Sequence, residues 1–145
     1  MTKIRPLAEA DNAEWRSLWT LYLEFYETSV PEEVYESTWR RLHSDAPGEF
    51  SCFVAEHEGR LIGLTHYLFH RHAWKVENVC YLQDLFVDES ARGTGAGRAL
   101  IEAVYAEADL KGAPSVYWLT QDFNTTARRL YDRVANLTPF IRYSR

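Results

Sequence analysis

Three glycines fall within the run Arg92-Gly93-Thr94-Gly95-Ala96-Gly97-Arg98, and that run joins two segments of different periodicity. Before it, Val79 to Val87 reads as a strand. After it, Leu100, Ile101, Val104, Tyr105 and Ala108 recur at helical spacing. Glycines let a backbone turn its amides inward and let a bulky group come close. The first amides of a helix have no partners within it and carry the positive end of its dipole. A glycine loop opening a helix is therefore an anion site suited to a phosphate or pyrophosphate, and Arg92 and Arg98 add positive charge. It is not a Walker loop, since no Lys-Ser/Thr follows. Nor is it a dinucleotide fingerprint, since Arg98 stands where the third glycine would be.

The rest of the chain sets this loop in a single domain spanning residues 1–145. The pattern reads strand, two helices, three strands, helix, strand, helix, strand. Lys3–Leu7 opens it. Asp11 and Glu14 resemble a capping box ahead of Trp15, Leu18, Trp19, Tyr22 and Tyr26. Pro31 suits the first turn of the next helix, and Glu58-Gly59 suits a hairpin between Phe50–Glu56 and Leu61–His70. A last strand is expected at Pro139–Tyr143. The unit from Val79–Val87 through the helix to Val116–Thr120 has the length of a right-handed crossover, so those two strands should be parallel, after an antiparallel meander. Open sheets of this kind bind ligands at the carboxyl ends of their strands.

Composition narrows the function classes. The formal net charge is −5 and no basic stripe is visible, which argues against nucleic acid. No apolar run approaches the ~20 residues needed to cross a bilayer. No apolar signal segment follows Met1–Pro6, so the expected compartment is cytoplasmic. Cys52 and Cys80 show no metal-ligand spacing and read as small core residues. His66, His70 and His72 alternate along one strand side without an evident fourth ligand, and no metal is expected.

The loop and its flanks resemble the GNAT superfamily of N-acetyltransferases, whose pyrophosphate loop runs Arg/Gln-x-x-Gly-x-Gly/Ala. Arg92, Gly95 and Gly97 match in register. Tyr81-Leu82-Gln83-Asp84-Leu85-Phe86-Val87 is similar to the family's central strand, above all in the spermidine/spermine-type and yeast histone/polyamine-type branches. Val116–Thr120, Asn124, Ala127 and Leu130-Tyr131 resemble its next strand and helix, and Thr138–Tyr143 its ending. Val134-Ala135-Asn136-Leu137 departs from the Gly-Phe that many members carry after the tyrosine helix. The resemblance implies an α/β (α+β) fold: a mixed, mostly antiparallel sheet of about six to seven strands with one parallel βαβ unit, flanked by four helices.

It also implies acetyl transfer from acetyl-CoA (CoA) to a primary amine, such as a polyamine or other small amine. Tyr131 would be the general acid, since a phenol stays protonated at neutral pH. Strict alternation would put Asp84 on the same face as Leu82, among apolar neighbours. The resemblance implies a bulge there, which re-aims side chains and frees amides. Asp84 would then bind the amine or relay its proton through water. Leu85, Phe86 and Val87 would line the pantetheine arm, with a free amide near Leu85 for the thioester oxygen. Arg92, Gly93, Thr94, Gly95, Ala96, Gly97 and Arg98 would hold the pyrophosphate, and Asn124 would cap a helix beside the cofactor.

For the acceptor, Glu24, Tyr26 and Glu27 stand with Tyr22, Glu32, Glu33 and Tyr35 in the first helices, a mixture suited to an ammonium. Acetylation of protein lysines or amino termini is the alternative enzyme reading. A non-catalytic acetyl-CoA-binding domain is the alternative from another class. Homodimer formation through the last strand is compatible with the sequence.

Overall fold

The computed structural model describes Met1–Arg145 as five strands in one sheet with helices on both faces. The strands are β1 (Thr2–Pro6), β2 (Ser51–His57), β3 (Arg60–His70), β4 (Val79–Val87) and β5 (Val116–Tyr117). The helices are α1 (Asn12–Phe25), α2 (Glu32–Leu42), α3 (Ala96–Leu110) and α4 (Thr125–Val134). The spatial order follows the chain, β1-β2-β3-β4-β5. The first three pairings are antiparallel and β4–β5 is parallel, as the crossover length requires. The β2–β3 hairpin turns through Glu58 and Gly59, both at positive φ (50° and 76°), the conformation that suits the strands' twist.

Two cores flank the sheet. On one face the apolar stripe of α1, Trp15, Leu18, Trp19 and Leu23, packs on Val54, Leu64 and Phe86, with Tyr35 and Trp39 of α2 closing over it. On the other face Ile101, Val104 and Ala108 of α3 pack on Tyr67, Cys80 and Leu82, while Leu100 meets Ala55 and Ile62. Leu130, Tyr131 and Val134 of α4 join this second face. Cys52 and Cys80 are free and buried, and burial pushes both thiols up, Cys80 to about 12.

Four expectations change. The sheet has five strands, not six or seven. β5 pairs only at Val116 and Tyr117, because the chain leaves β4 there. Pro139–Tyr143 forms no strand and is exposed to solvent. The capping box at Asp11 and Glu14 is also absent, because both carboxylates are engaged by other partners. Glu14 accepts the Leu61 N–H at 2.8 Å, tying α1 to β3. Asp11 accepts both Arg5 Nη1 (2.8 Å) and Nη2 (3.0 Å), and the Ala8 N–H at 2.7 Å.

The Arg5 guanidinium holds the Asp11 carboxyl below its ordinary value. Its stabilisation is therefore complete above the unfolded carboxyl's pKa and is lost as pH falls through the folded one. Asp11→Asn should cost about 2 kcal/mol at neutral pH, the scale of hydrogen bonds to charged groups. It should also flatten the acid side of the stability curve, as urea denaturation across pH would read.

Candidate functional site

The site begins with an irregularity in β4. The β3–β4 register runs His66↔Asp84 and then Tyr67↔Leu82, so Gln83 is an extra residue on β4. A bulge of this kind shifts alternation by one. Cys80 and Leu82 face α3, and after the bulge Leu85 and Val87 pack on that same side. Asp84 and Phe86 turn to the α1 side, where Phe86 joins the α1 core and Asp84 meets His66. The carboxylate thus leaves the face that simple alternation assigns to it.

The same shift directs the backbone. The Cys80 N–H donates to Ser115 O at 2.9 Å, towards β5, and the Asp88 N–H donates to Ile62 O at 2.8 Å, towards β3. Residues on one face of a strand send their amides the same way. With one extra residue between Leu82 and Asp84, the amides of Leu85 and Val87 point to the β5 side. There β5 has already left, since its pairing ends at Tyr81↔Tyr117. The two strands part, and two amides face the gap between them.

The gap opens into a cleft of about 560 Å³ that runs to the glycine loop. Leu85, Phe86 and Val87 line it, with Arg92, Gly93, Gly95, Ala96, Gly97 and Arg98 at one end and Asn124 and Tyr131 of the α4 region along its wall. Tyr22 and Phe25 of α1, with Tyr26 just past its end, close the remaining side. Thr94 is not in the lining; its hydroxyl donates to Ala91 O at 2.7 Å and braces the loop from within.

The loop fits a diphosphate. Gly93 and Gly95 sit at φ 85° and 84°, and nothing lies within 4 Å of where a Cβ would be on either. α3 starts at Gly95 with no side-chain cap and no acid in its first turn, so its leading amides and dipole are uncompensated. Gly97 allows close packing, since a Cβ there would stand 3.4 Å from Leu130 Cδ2 and 3.7 Å from Val87 Cγ2. Arg92 lies over the Phe25 ring at 5.9 Å. Arg98 pairs with Glu102 at 2.9 Å, which tempers the charge it lends to the loop.

The other candidates divide. Asn124 caps α4, its Oδ1 accepting the Ala127 N–H at 3.4 Å, and it also borders the cleft. Tyr131 packs edge-on against Trp118 at 5.4 Å. Its phenol is pushed up to about 12, mainly by burial and then by nearby Tyr26. Tyr26 lines the cleft, but Glu24 and Glu27 are exposed and outside its lining. Glu32 is engaged by Arg16, whose Nη1 donates to it at 3.0 Å. Asp84, only 8% exposed, is not in the lining either, but it is close enough to Tyr22 and Tyr26 for its charge to act on both phenols. Burial, reinforced by the Asp84 charge, raises the Tyr22 and Tyr26 phenols, so both stay neutral beside it.

Of the three alternating histidines, His70 bonds the Tyr117 hydroxyl at 2.7 Å, and His72 Nδ1 accepts the Trp74 N–H at 3.1 Å. His66 is buried against Asp84 and Trp15. Sequence reasoning gave neither His66 nor Trp15 a place at the site. The cross-strand register opposite Asp84 was the available signal, and it is readable only once the bulge is known.

A sheet parted at its one parallel pair, with an uncapped glycine-rich helix start at the mouth of the gap, defines an α/β acyltransferase fold. The model of the acetyltransferase (GNAT) family matches residues 15–135, and the chain belongs to that family. It is 39% identical over 143 residues to the D-amino-acid N-acetyltransferase HPA3 of Saccharomyces cerevisiae, covering 98% of this chain and 89% of that one. It is 31% identical over 141 residues to the thialysine N-epsilon-acetyltransferase of Mus musculus, covering 90% and 81%. The fold matches the aminoglycoside acetyltransferase AAC(6')-Iy bound to a CoA bisubstrate analogue, with TM-score 0.85, 21% identity and coverage of 100% and 97%. The protein is an acetyl-CoA-dependent N-acetyltransferase. No helix is long and apolar enough to cross a membrane.

Proposed function

We propose that this enzyme acetylates the primary amine of a small molecule, an amino acid or a short polyamine. The observation that carries this reading is Asp84: a carboxylate with no lysine or arginine partner, whose charge acts on Tyr22 and Tyr26 of the cleft wall. A slender ammonium can reach it between aromatic rings, with charge and cation–π attraction acting together. The named activities of the yeast and mouse relatives support an amino-acid amine.

Acetyl-CoA supplies the activated acetyl group, and the chain's residues do the rest. The loop from Arg92 to Arg98 holds the pyrophosphate through its amides. The Leu85 and Val87 amides pair with the pantetheine arm as an added strand would, and the Leu85 amide polarises the thioester oxygen. Asp84 takes a proton from the ammonium, directly or through water, leaving a nitrogen lone pair. The C–N bond forms, the C–S bond breaks with its electron pair on sulfur, and Tyr131 supplies the proton that the sulfur needs. The second amine proton passes through solvent to restore the Tyr131 phenol, and Asp84 releases its proton to solvent.

A panel of D- and L-amino acids, diamines, polyamines and lysine peptides, assayed by thiol release, tests the reading. Small amines should turn over and peptides should not. Asp84→Asn should lower kcat/KM for the acceptor ~100-fold, within the usual range for acid–base groups, while leaving the KM for acetyl-CoA in place. Equal turnover of peptides and small amines would overturn the substrate assignment.

The same reading extends to assembly in the cytoplasm as a homodimer. The tail leaves Phe140, Ile141 and Tyr143 exposed, and the first two line a second cleft of about 630 Å³ together with Tyr117, Leu119 and Tyr131. A second copy's tail would cover this apolar surface. Sedimentation should give a dimer for the full chain and a monomer after truncation at Thr138. A monomeric full chain removes the assembly.

A further inference from the structure

His66 is 2% exposed and both of its ring nitrogens are engaged. The Trp15 Nε1–H donates to His66 Nε2 at 2.9 Å. His66 Nδ1 lies 2.8 Å from Asp84 Oδ2. An indole nitrogen only donates, and a neutral imidazole has one N–H and one lone pair. The lone pair must therefore be on Nε2 and the proton on Nδ1. An imidazolium would set two N–H groups against each other along the Trp15 contact. The Nδ1–H donates, so the Asp84 oxygen it meets is an acceptor. Packing fixes the ring further: Trp15 and Trp19 flank it with centroids 6.0 Å and 5.8 Å away. Tyr35 of α2 backs both tryptophans.

We propose that Trp15 is a positioning residue that locks His66 in its Nδ1–H tautomer and so holds the Asp84 carboxyl oxygen as an acceptor, aimed at the acceptor amine. His66 then orients the carboxylate but is barred from taking the amine's proton, which stops at Asp84. This rests on the reading of Asp84 as the amine's partner. The lock itself is a property of the chain without substrate. Trp15 sits on α1, 51 residues before His66, so the helix that lines the acceptor side of the cleft also sets the state of the strand beneath it.

Long-range proton–nitrogen correlation on the histidine-labelled full chain at neutral pH, with no substrate, reads the tautomer. A protonated Nδ1 and bare Nε2 are expected for His66; the opposite tautomer or an imidazolium overturns the proposal. In Trp15→Phe, which keeps an aromatic ring and deletes the donor, Nε2 should gain proton occupancy. The acceptor kcat/KM should fall roughly tenfold, a fraction of the full acid–base contribution, with the KM for acetyl-CoA unchanged. An unaltered tautomer and unaltered acceptor kcat/KM in that variant would remove the positioning role. If the variant does not fold, the wild-type spectrum still decides the lock. A chain with the expected tautomer that acetylates no amine in the panel would instead defeat the functional reading.

Discussion

Replacing Tyr131 with phenylalanine should lower kcat by ~10²–10⁴, the range expected when a positioned acid–base group is lost. The affinity for acetyl-CoA and the melting temperature should barely change. The ring packs against Trp118 and its neighbours in α4, and phenylalanine keeps that packing. Only the hydroxyl is lost. Burial pushes its ionisation to about 12, so the phenol carries its proton throughout any practical assay range. It follows that kcat should show no basic limb from Tyr131 near neutrality. Single-turnover kinetics with a saturating acceptor would isolate the effect, and wild-type turnover in Tyr131→Phe would return this residue to a purely structural role.

Gly95→Val should weaken acetyl-CoA binding at least about 100-fold. Hydrogen bonds to charged groups contribute ~1.5–3 kcal/mol each, so misdirecting two amides is enough. The backbone at Gly95 has φ 84°, a region that β-branched residues avoid, although there is open space where the side chain would go. The substitution therefore acts by turning the loop rather than by filling it. The strain, ~1–3 kcal/mol, falls on a solvent-facing turn outside both cores, so circular dichroism should report a folded chain. Calorimetric titration with CoA reads the affinity directly, and undiminished binding would separate the loop from the pyrophosphate.

What the sequence revealed followed the range of the forces involved. β4 spans Val79–Val87 as its pattern indicates, and the loop and α3 follow in place, because glycine conformation and helical periodicity are local properties. The parallel β4–β5 pair was legible from crossover length alone. Local pattern misleads where distant partners decide. Asp11 and Glu14 have the spacing of a capping box, yet Arg5 and the Leu61 amide claim them. Pro139–Tyr143 has strand-like residues yet stays exposed and joins no ladder. Glu24 and Glu27 look like an acidic pocket in one dimension and lie outside the cleft in three. His66 read as one of an alternating trio, because neither its indole donor nor its carboxylate acceptor is close in sequence.

The bare start of α3 has a consequence for how the enzyme would behave in a changing metabolic state. Its free amides suit a diphosphate that spent and charged carriers share, so this anchor has no means of telling one from the other. Discrimination would fall to the far end of the cleft, near Leu85 and Tyr131, where the two molecules differ. Free CoA should therefore be a strong competitive product inhibitor, and the rate in a cell would track the ratio of acetylated to free carrier more closely than the amount of either.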